Sequence, residues 1–283
     1  MAGLGGGGAY ISKLDRYELK YIIPYELVEP MTEYLMAFCT LDYHSSIAPN
    51  YFYQVNSLYF DTPNLTFAKN RLYTKSPRFN MRSRAYGDGT KPPYFLEIKL
   101  KDGNIVNKFR ATVDDTEWPH MFTDFNYTTK AQGNEKELRN KELFYRTATK
   151  YNASPRIYTR YRRRAFVSEV DEYVRVTMDI DLQCHLEDKY TLVSDDGKLQ
   201  NYDSENVFVK DYNRTDNKNV ILELKCYPHQ VPLWLIDFIK YFQLNRTSFS
   251  KYLASLSSAI DYNLEYGQIF NINDRQNKID SIF

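Results

Sequence analysis

Period-two alternation of charged and bulky side chains is the feature that most narrows what this chain can become. In Arg16-Tyr17-Glu18-Leu19-Lys20-Tyr21, an extended backbone puts Arg16, Glu18 and Lys20 on one side and Tyr17, Leu19 and Tyr21 on the other. Arg82 and Arg84 share a side, as do Glu97 and Lys99 against Leu96, Ile98 and Leu100. Lys108 goes with Arg110, and Glu223 with Lys225 against Leu222 and Leu224. Arg175, Thr177, Asp179 and Asp181 line one face while Val176, Met178, Ile180 and Leu182 line the other. A half-exposed antiparallel sheet with its charges in water is one reading of any single strand. Taken together the strands suit a second reading, because Arg and Lys come in doublets, acids come singly and the opposite faces are uniformly bulky. Eight such strands with helices between them predict an α+β fold: a closed eight-stranded antiparallel barrel with helices on its apolar outside and a basic tunnel inside.

Strands are predicted over residues 10–25, 51–60, 78–86 and 219–227, with antiparallel pairs at 93–100/105–113 and 155–168/172–182. Helices are predicted over 26–39, 63–72, 134–151, 232–243 and 250–260. The 26 Tyr and 17 Phe, set against 11 Gly and 11 Pro, favour strands with bulky faces. Lys and Arg number 37 and Asp and Glu 36, so bulk charge advertises neither nucleic acid nor membrane, and an anion site has to come from local clustering. Cys39, Cys184 and Cys226 make no CxxC pair and no disulfide framework, which predicts a reducing compartment. Val231 to Phe242 is the best apolar run, but Asp237 and Lys240 interrupt it, and the N-terminus lacks a secretory pattern. The expected location is cytoplasmic, or peripheral to the inner face of a membrane.

A tunnel lined by cations has to hold anions, since like charges in a confined space repel and lose hydration. Arginine suits forked contacts with phosphate oxygens, and lysine supplies a point charge. The few carboxylates either orient those cations or hold a divalent metal, which takes oxygen ligands and bridges phosphates. The residues alone therefore point to a polyanion or triphosphate site. Single-stranded nucleic acid would call for aromatic rings among the cations. Here the tyrosines mostly alternate to the other side, so no nucleic acid is expected. Glu97 is read as a partner of Lys99, and Asp179 or Asp181 as a metal ligand or an arginine anchor.

Several segments also match a known family in order: the Arg16 to Tyr21 run, Ser57-Leu58-Tyr59-Phe60-Asp61-Thr62, Arg82-Ser83-Arg84-Ala85-Tyr86 and Phe95-Leu96-Glu97-Ile98-Lys99. Lys108-Phe109-Arg110, Tyr161-Arg162-Arg163-Arg164-Ala165-Phe166, Arg175-Val176-Thr177-Met178-Asp179, Leu222-Glu223-Leu224-Lys225 and Ser250-Lys251-Tyr252 follow. Together they resemble the polyphosphate polymerase domain of the vacuolar transporter chaperone (VTC) family, a branch of the triphosphate tunnel metalloenzymes of the CYTH-like superfamily. The resemblance implies one tunnel domain over residues 11–262; the glycine run reads as a flexible leader at 1–10 and the polar composition of 263–283 as a tail. It implies transfer of the terminal phosphate of ATP, the substrate, onto a growing polyphosphate chain with release of ADP, aided by Mn2+ or Mg2+.

Carried over residue by residue, the phosphate-contacting set is Lys20, Arg82, Arg84, Lys99, Lys108, Arg163, Arg175, Lys225 and Lys251. Of these, Lys20, Arg82, Arg84, Lys99, Arg163 and Lys225 would hold the nucleotide, and Glu223 the metal. Of the three consecutive arginines, the motif match favours Arg163 as the inward one, although a one-residue bulge would favour a neighbour. Two alternatives stand beside the polymerase: a metal-dependent inorganic or nucleoside triphosphatase using the same cations, and a non-catalytic polyphosphate- or nucleotide-binding module. A plugged tunnel exit would favour hydrolysis. A separate membrane protein that carries product away is the partner such a polymerase would need.

Overall fold

The computed structural model describes residues 17–102, 105–124, 126–128, 134–203 and 218–262. The expected leader and tail, with Arg16, lie outside the described residues. The alternating segments form strands β1 (Tyr17–Pro24), β3 (Tyr53–Asp61), β4 (Arg78–Tyr86), β5 (Tyr94–Asp102) and β6 (Ile105–Val113). They are followed by β7 (Ser154–Ser168), β8 (Val174–Leu186) and β10 (Asn219–Cys226). Two short strands not anticipated, β2 (Cys39–Leu41) and β9 (Gln200–Asn201), add to β7 and β8. The helices are α1 (Val28–Met36), α2 (Tyr43–Ser46), α3 (Thr66–Leu72), α4 (His120–Thr123), α5 (Glu135–Tyr151), α6 (Leu233–Tyr241) and α7 (Lys251–Tyr262).

All neighbouring strands run antiparallel, in the order β1-β10-β8-β7-β3-β4-β5-β6. The expected closed barrel is not what forms. β1 and β6 end the path without pairing to each other, and the sheet curls into an open half-barrel. Other groups take up the free edges: the Thr247 amide donates to the Lys20 carbonyl at 2.8 Å, and the Asn140 side chain of α5 donates to the Arg110 carbonyl at 2.8 Å. An edge occupied in this way no longer demands a partner strand.

The bulky alternates face outward beneath two helical layers. Tyr21, Val176, Met178, Leu222 and Leu224 pack against α1 and α6 through Met31, Leu35, Leu235 and Phe238. Leu58, Met81, Leu96 and Ile98 pack against α5 through Phe144 and Ala148. A third cluster lies inside the curl. There α7 brings Tyr252, Leu256 and Ala259 against Tyr59, Tyr161, Ile221 and Leu182, filling one end of the concave face. Tyr252 is anchored by donating its hydroxyl to Asp61 at 2.6 Å.

β8 departs from simple alternation. Asp181 has φ +51°, and the register with β7 shifts between Arg160 and Arg162, so Asp181 is the extra residue of a bulge. Leu182 therefore turns inward and Asp181 turns away from Asp179. All three cysteines are buried free thiols. Among the described residues no helix is long and apolar enough to cross a membrane.

Candidate anion-binding face

Above the apolar end filled by α7, the concave face belongs to the charged alternates. Glu97 of β5 lies opposite Arg82 of β4 and Arg110 of β6, so sheet register alone brings cations to both sides of it. The Glu97 carboxylate, 3% exposed, lies 2.6 Å from an Arg82 nitrogen, 2.6 Å from Lys108 Nζ, 3.7 Å from Arg110 and 3.8 Å from Arg84. Four cations thus share one carboxylate. Burial pushes the Glu97 pKa up, but Arg82, Arg84 and Lys108 outweigh it and hold the group well below the usual carboxylate range. Burial brings Lys108 down to about 8, with Glu97 opposing and Arg82 and Arg84 assisting. Lys108 is nearly half exposed, so water screens part of this interaction.

A second group faces it from β1, β10, β8 and α7. Glu223 lies opposite Lys20 and Thr177 on its neighbouring strands and meets Lys225 Nζ at 2.7 Å. Its pKa is held well below the usual range because Lys225, Lys20 and Arg163 overcome the penalty of burial. Lys20 donates to the Phe249 carbonyl at 3.0 Å; burial lowers its pKa to about 8, against the pull of Glu223. Asp179 accepts two bonds from Arg163, at 2.7 and 2.9 Å, and one from Lys251 at 2.6 Å. These cations keep Asp179 ionised down to about 2 despite its burial. Arg175, opposite Lys225, reaches Asp42 at 2.7 Å, and Lys99 reaches across to Glu18 on β1 at 2.5 Å.

The structure therefore gathers every cation predicted for the site, with Glu223, on one concave face. Some pairings differ from expectation. Lys99 pairs with Glu18 rather than Glu97, because the curl brings β5 toward β1. Asp181, expected beside Asp179, instead pairs with Arg162 and Lys218, because the bulge reverses its direction. Of the arginine triplet, Arg163 faces inward and Arg164 outward, where it forks onto Glu29. Arg110, read from the sequence as a companion of Lys108 but left out of the phosphate-contacting set, completes the cage around Glu97 and stacks 3.7 Å from the Phe95 ring. Its alternation with Lys108 was the available signal.

Several buried donors on this face have no hydrogen-bond partner among the described residues: Nε of Arg84, Arg110 and Arg175, and the hydroxyls of Ser57, Tyr161 and Thr177. Each such group costs roughly 1–3 kcal/mol if nothing accepts from it. An anionic ligand would supply acceptors. For a metal, no three His, Cys, Asp or Glu side chains among the described residues form a protein-only cage. Glu18 and Glu223 do lie on adjacent strands, close enough that Glu223 disfavours the charge on Glu18. A hard divalent cation commonly takes one or two carboxylates and completes its shell with water and substrate phosphates. Glu223, with Glu18 beside it, fits that pattern once Lys225 and Lys99 yield.

The family model described as VTC domain matches residues 15–260. No curated protein matches the chain. Among solved structures, a Bacillus halodurans protein provisionally assigned as an adenylate cyclase is similar at 10% identity and a TM-score of 0.47, over 83% of this chain and 95% of that one. The Hippeastrum protein HpAC1, provisionally assigned as an adenylyl cyclase and described as having a dominant triphosphatase activity, is similar at 15% identity and a TM-score of 0.44, over 85% and 94%. The PH1819 protein of Pyrococcus horikoshii OT3 is similar at 10% identity and a TM-score of 0.39, over 86% and 96%. With the family match running through the whole curled sheet and most of α7, the chain belongs to the VTC domain family.

Proposed function

We infer that the chain is a phosphotransferase that lengthens polyphosphate with the terminal phosphate of ATP. The observation that carries this reading is the excess of cations and unpartnered donors around Glu97, an arrangement made to be completed by phosphate oxygens. In-line phosphoryl transfer asks a protein chiefly to position the phosphates and spread their developing charge. Arg82, Arg84, Lys108 and Arg110 would grip phosphates from one wall; Lys20, Arg163, Lys225 and Lys251 would grip them from the other. A Mn2+ or Mg2+ ion held by Glu223, with Glu18 beside it, would neutralise charge on bridging and terminal phosphate oxygens.

Glu97, Asp179 and Glu223 are each ion-paired to cations of the face and so orient those cations. A terminal phosphate is already an anionic nucleophile and needs no base. One observation favours hydrolysis as the second reading: α7 and its tyrosine contacts close one end of the concave face. Incubation of the pure protein with ATP and manganese or magnesium separates the two. Polymer and ADP appearing in step support the polymerase; ADP with orthophosphate alone overturns it.

A further inference from the structure

The filled end raises the question of where a growing chain would go. Below Asp179 and Glu223, buried Tyr59, Tyr161, Tyr202, Ile221, Tyr252 and Leu256 occupy the interior, and Tyr59 stacks on Tyr252 at 5.0 Å. The cations that touch this wall, Arg82, Arg163 and Lys251, are those of the concave face already described. Because β1 and β6 do not pair with each other, a seam runs between β1 and the β5–β6 hairpin, crossed by the Glu18–Lys99 ion pair.

The seam is lined by cations outside the site already described. On the concave face of β4 and β5 the next positions beyond Lys99 are Arg78 and Lys101, which lie directly opposite each other. Like charges in that relation destabilise a strand pair. Arg71 from the last turn of α3 and Arg246 from the segment beside β1 act on the same point. Burial first, then Arg78, Arg71, Lys99 and Arg246, disfavour the charge on Lys101, and no carboxylate ranks among these main influences. Arg71 in turn is disfavoured by burial and by Arg78. A set of cations that repel one another is accounted for if a polyanion lies among them.

We propose that a polyphosphate chain leaves the concave face sideways through this seam, across a second anion site made by Arg71, Arg78, Lys101 and Arg246. The inference rests on the polyphosphate reading of the concave face and adds to it a requirement for chain length. Lys101 lies four residues beyond Glu97, about 13 Å along an extended strand, so a ligand touching both Lys101 and the cations around Glu97 must run across several phosphates. Tripolyphosphate held by Arg82, Arg84, Lys108 and Arg110 does not span to the seam; a long chain does.

The test compares tripolyphosphate with long-chain polyphosphate as ligands of the full chain at fixed ionic strength. In Arg78→Ala/Arg246→Ala, long-chain affinity falls about tenfold or more while tripolyphosphate affinity stays within about twofold, because charge-assisted contacts are lost only beyond the first phosphates. Lys101→Gln, a milder single change, shows the same asymmetry to a smaller degree and covers the case in which the double variant folds poorly. Equal losses for both ligands, or no loss for either, overturn the proposal. So does a length-dependent loss found in Arg175→Ala instead, since it would put the chain at the other end of the face. Failure of the polymerase reading is scored separately by orthophosphate release, because the length dependence of binding is read without turnover.

Discussion

Glu97 is the residue on which the unliganded face depends. It is the only carboxylate within 4 Å of Arg82, Arg84, Lys108 and Arg110 among the described residues, and like Arg84 it is buried while Arg82, Lys108 and Arg110 are partly wet. Glu97→Gln keeps the shape and removes the charge, leaving those cations to repel. Loss of a buried partner of this kind costs roughly 2–4 kcal/mol, the exposure of Lys108 keeping it below the fully buried limit. The expected outcome is a lower Tm that tripolyphosphate largely restores, with a ligand-induced rise larger than in the parent. An equal rise in both would show that phosphate does not take over the carboxylate's place. The lysines give a second prediction. Lys20 and Lys108 each lose their proton near pH 8, so affinity for tripolyphosphate should fall as pH rises through that value. Tyr86, whose pKa burial would raise but Arg84 and Arg110 bring to about 8, adds a negative charge over the same interval. Binding measured at constant ionic strength that stays flat to pH 9, a unit or so above these values, would contradict both assignments.

At the scale of elements, α5 is fastened to the sheet's outer side by a buried pair as well as by Phe144. Lys141 Nζ lies 2.9 and 2.7 Å from the two Glu117 oxygens, and both side chains are almost fully enclosed. Lys141→Ala strands the Glu117 carboxylate and should cost about 3–5 kcal/mol in denaturant unfolding. The double change Lys141→Met/Glu117→Leu removes both charges and should recover most of that loss; a double variant as unstable as the single would refute the pairing argument. Nothing in the alternation of strand residues announced this pair, since Glu117 lies in a turn and Lys141 on a helix that reads as mostly polar. What the alternation did carry was the existence of the strands and the side on which Arg82, Arg84, Lys99 and Glu223 fall. It failed at Asp181, because a single left-handed backbone angle reverses the pattern without any residue that demands it. It failed again at closure. Whether β1 meets β6 depends on what else satisfies their edges, and Thr247 and Asn140 lie far from either strand in sequence.

For the molecule as a whole, the concave face sets the response to acid and base. Glu97, Asp179 and Glu223 have folded pKa values below their ordinary ones, 4.5 for glutamate and 3.8 for aspartate. Their stabilisation is complete above about pH 4.5 and is lost as pH falls below it, Asp179 contributing until about 2. Lys20 and Lys108 have lowered values, so the penalty of keeping them charged is relieved as pH climbs from about 8 toward 10.5. The Tm should therefore drop steeply on the acid side; a Tm constant from neutrality to pH 3, below the ordinary carboxylate range, would show that these groups interact no better folded than unfolded. The strand order has a consequence for biosynthesis. Residues 17–24 hydrogen-bond to residues 219–226, so the first described strand has no partner until the last has been translated. A ribosome-bound chain would hold the β3–β4–β5–β6 meander, with Arg82, Arg84 and Lys108, well before Glu223 and Lys225 emerge to complete the opposite wall. Such late, long-range pairing slows folding and leaves the β8 edge uncovered in any nascent or truncated chain, an invitation to aggregation that only arrival of the final strand withdraws.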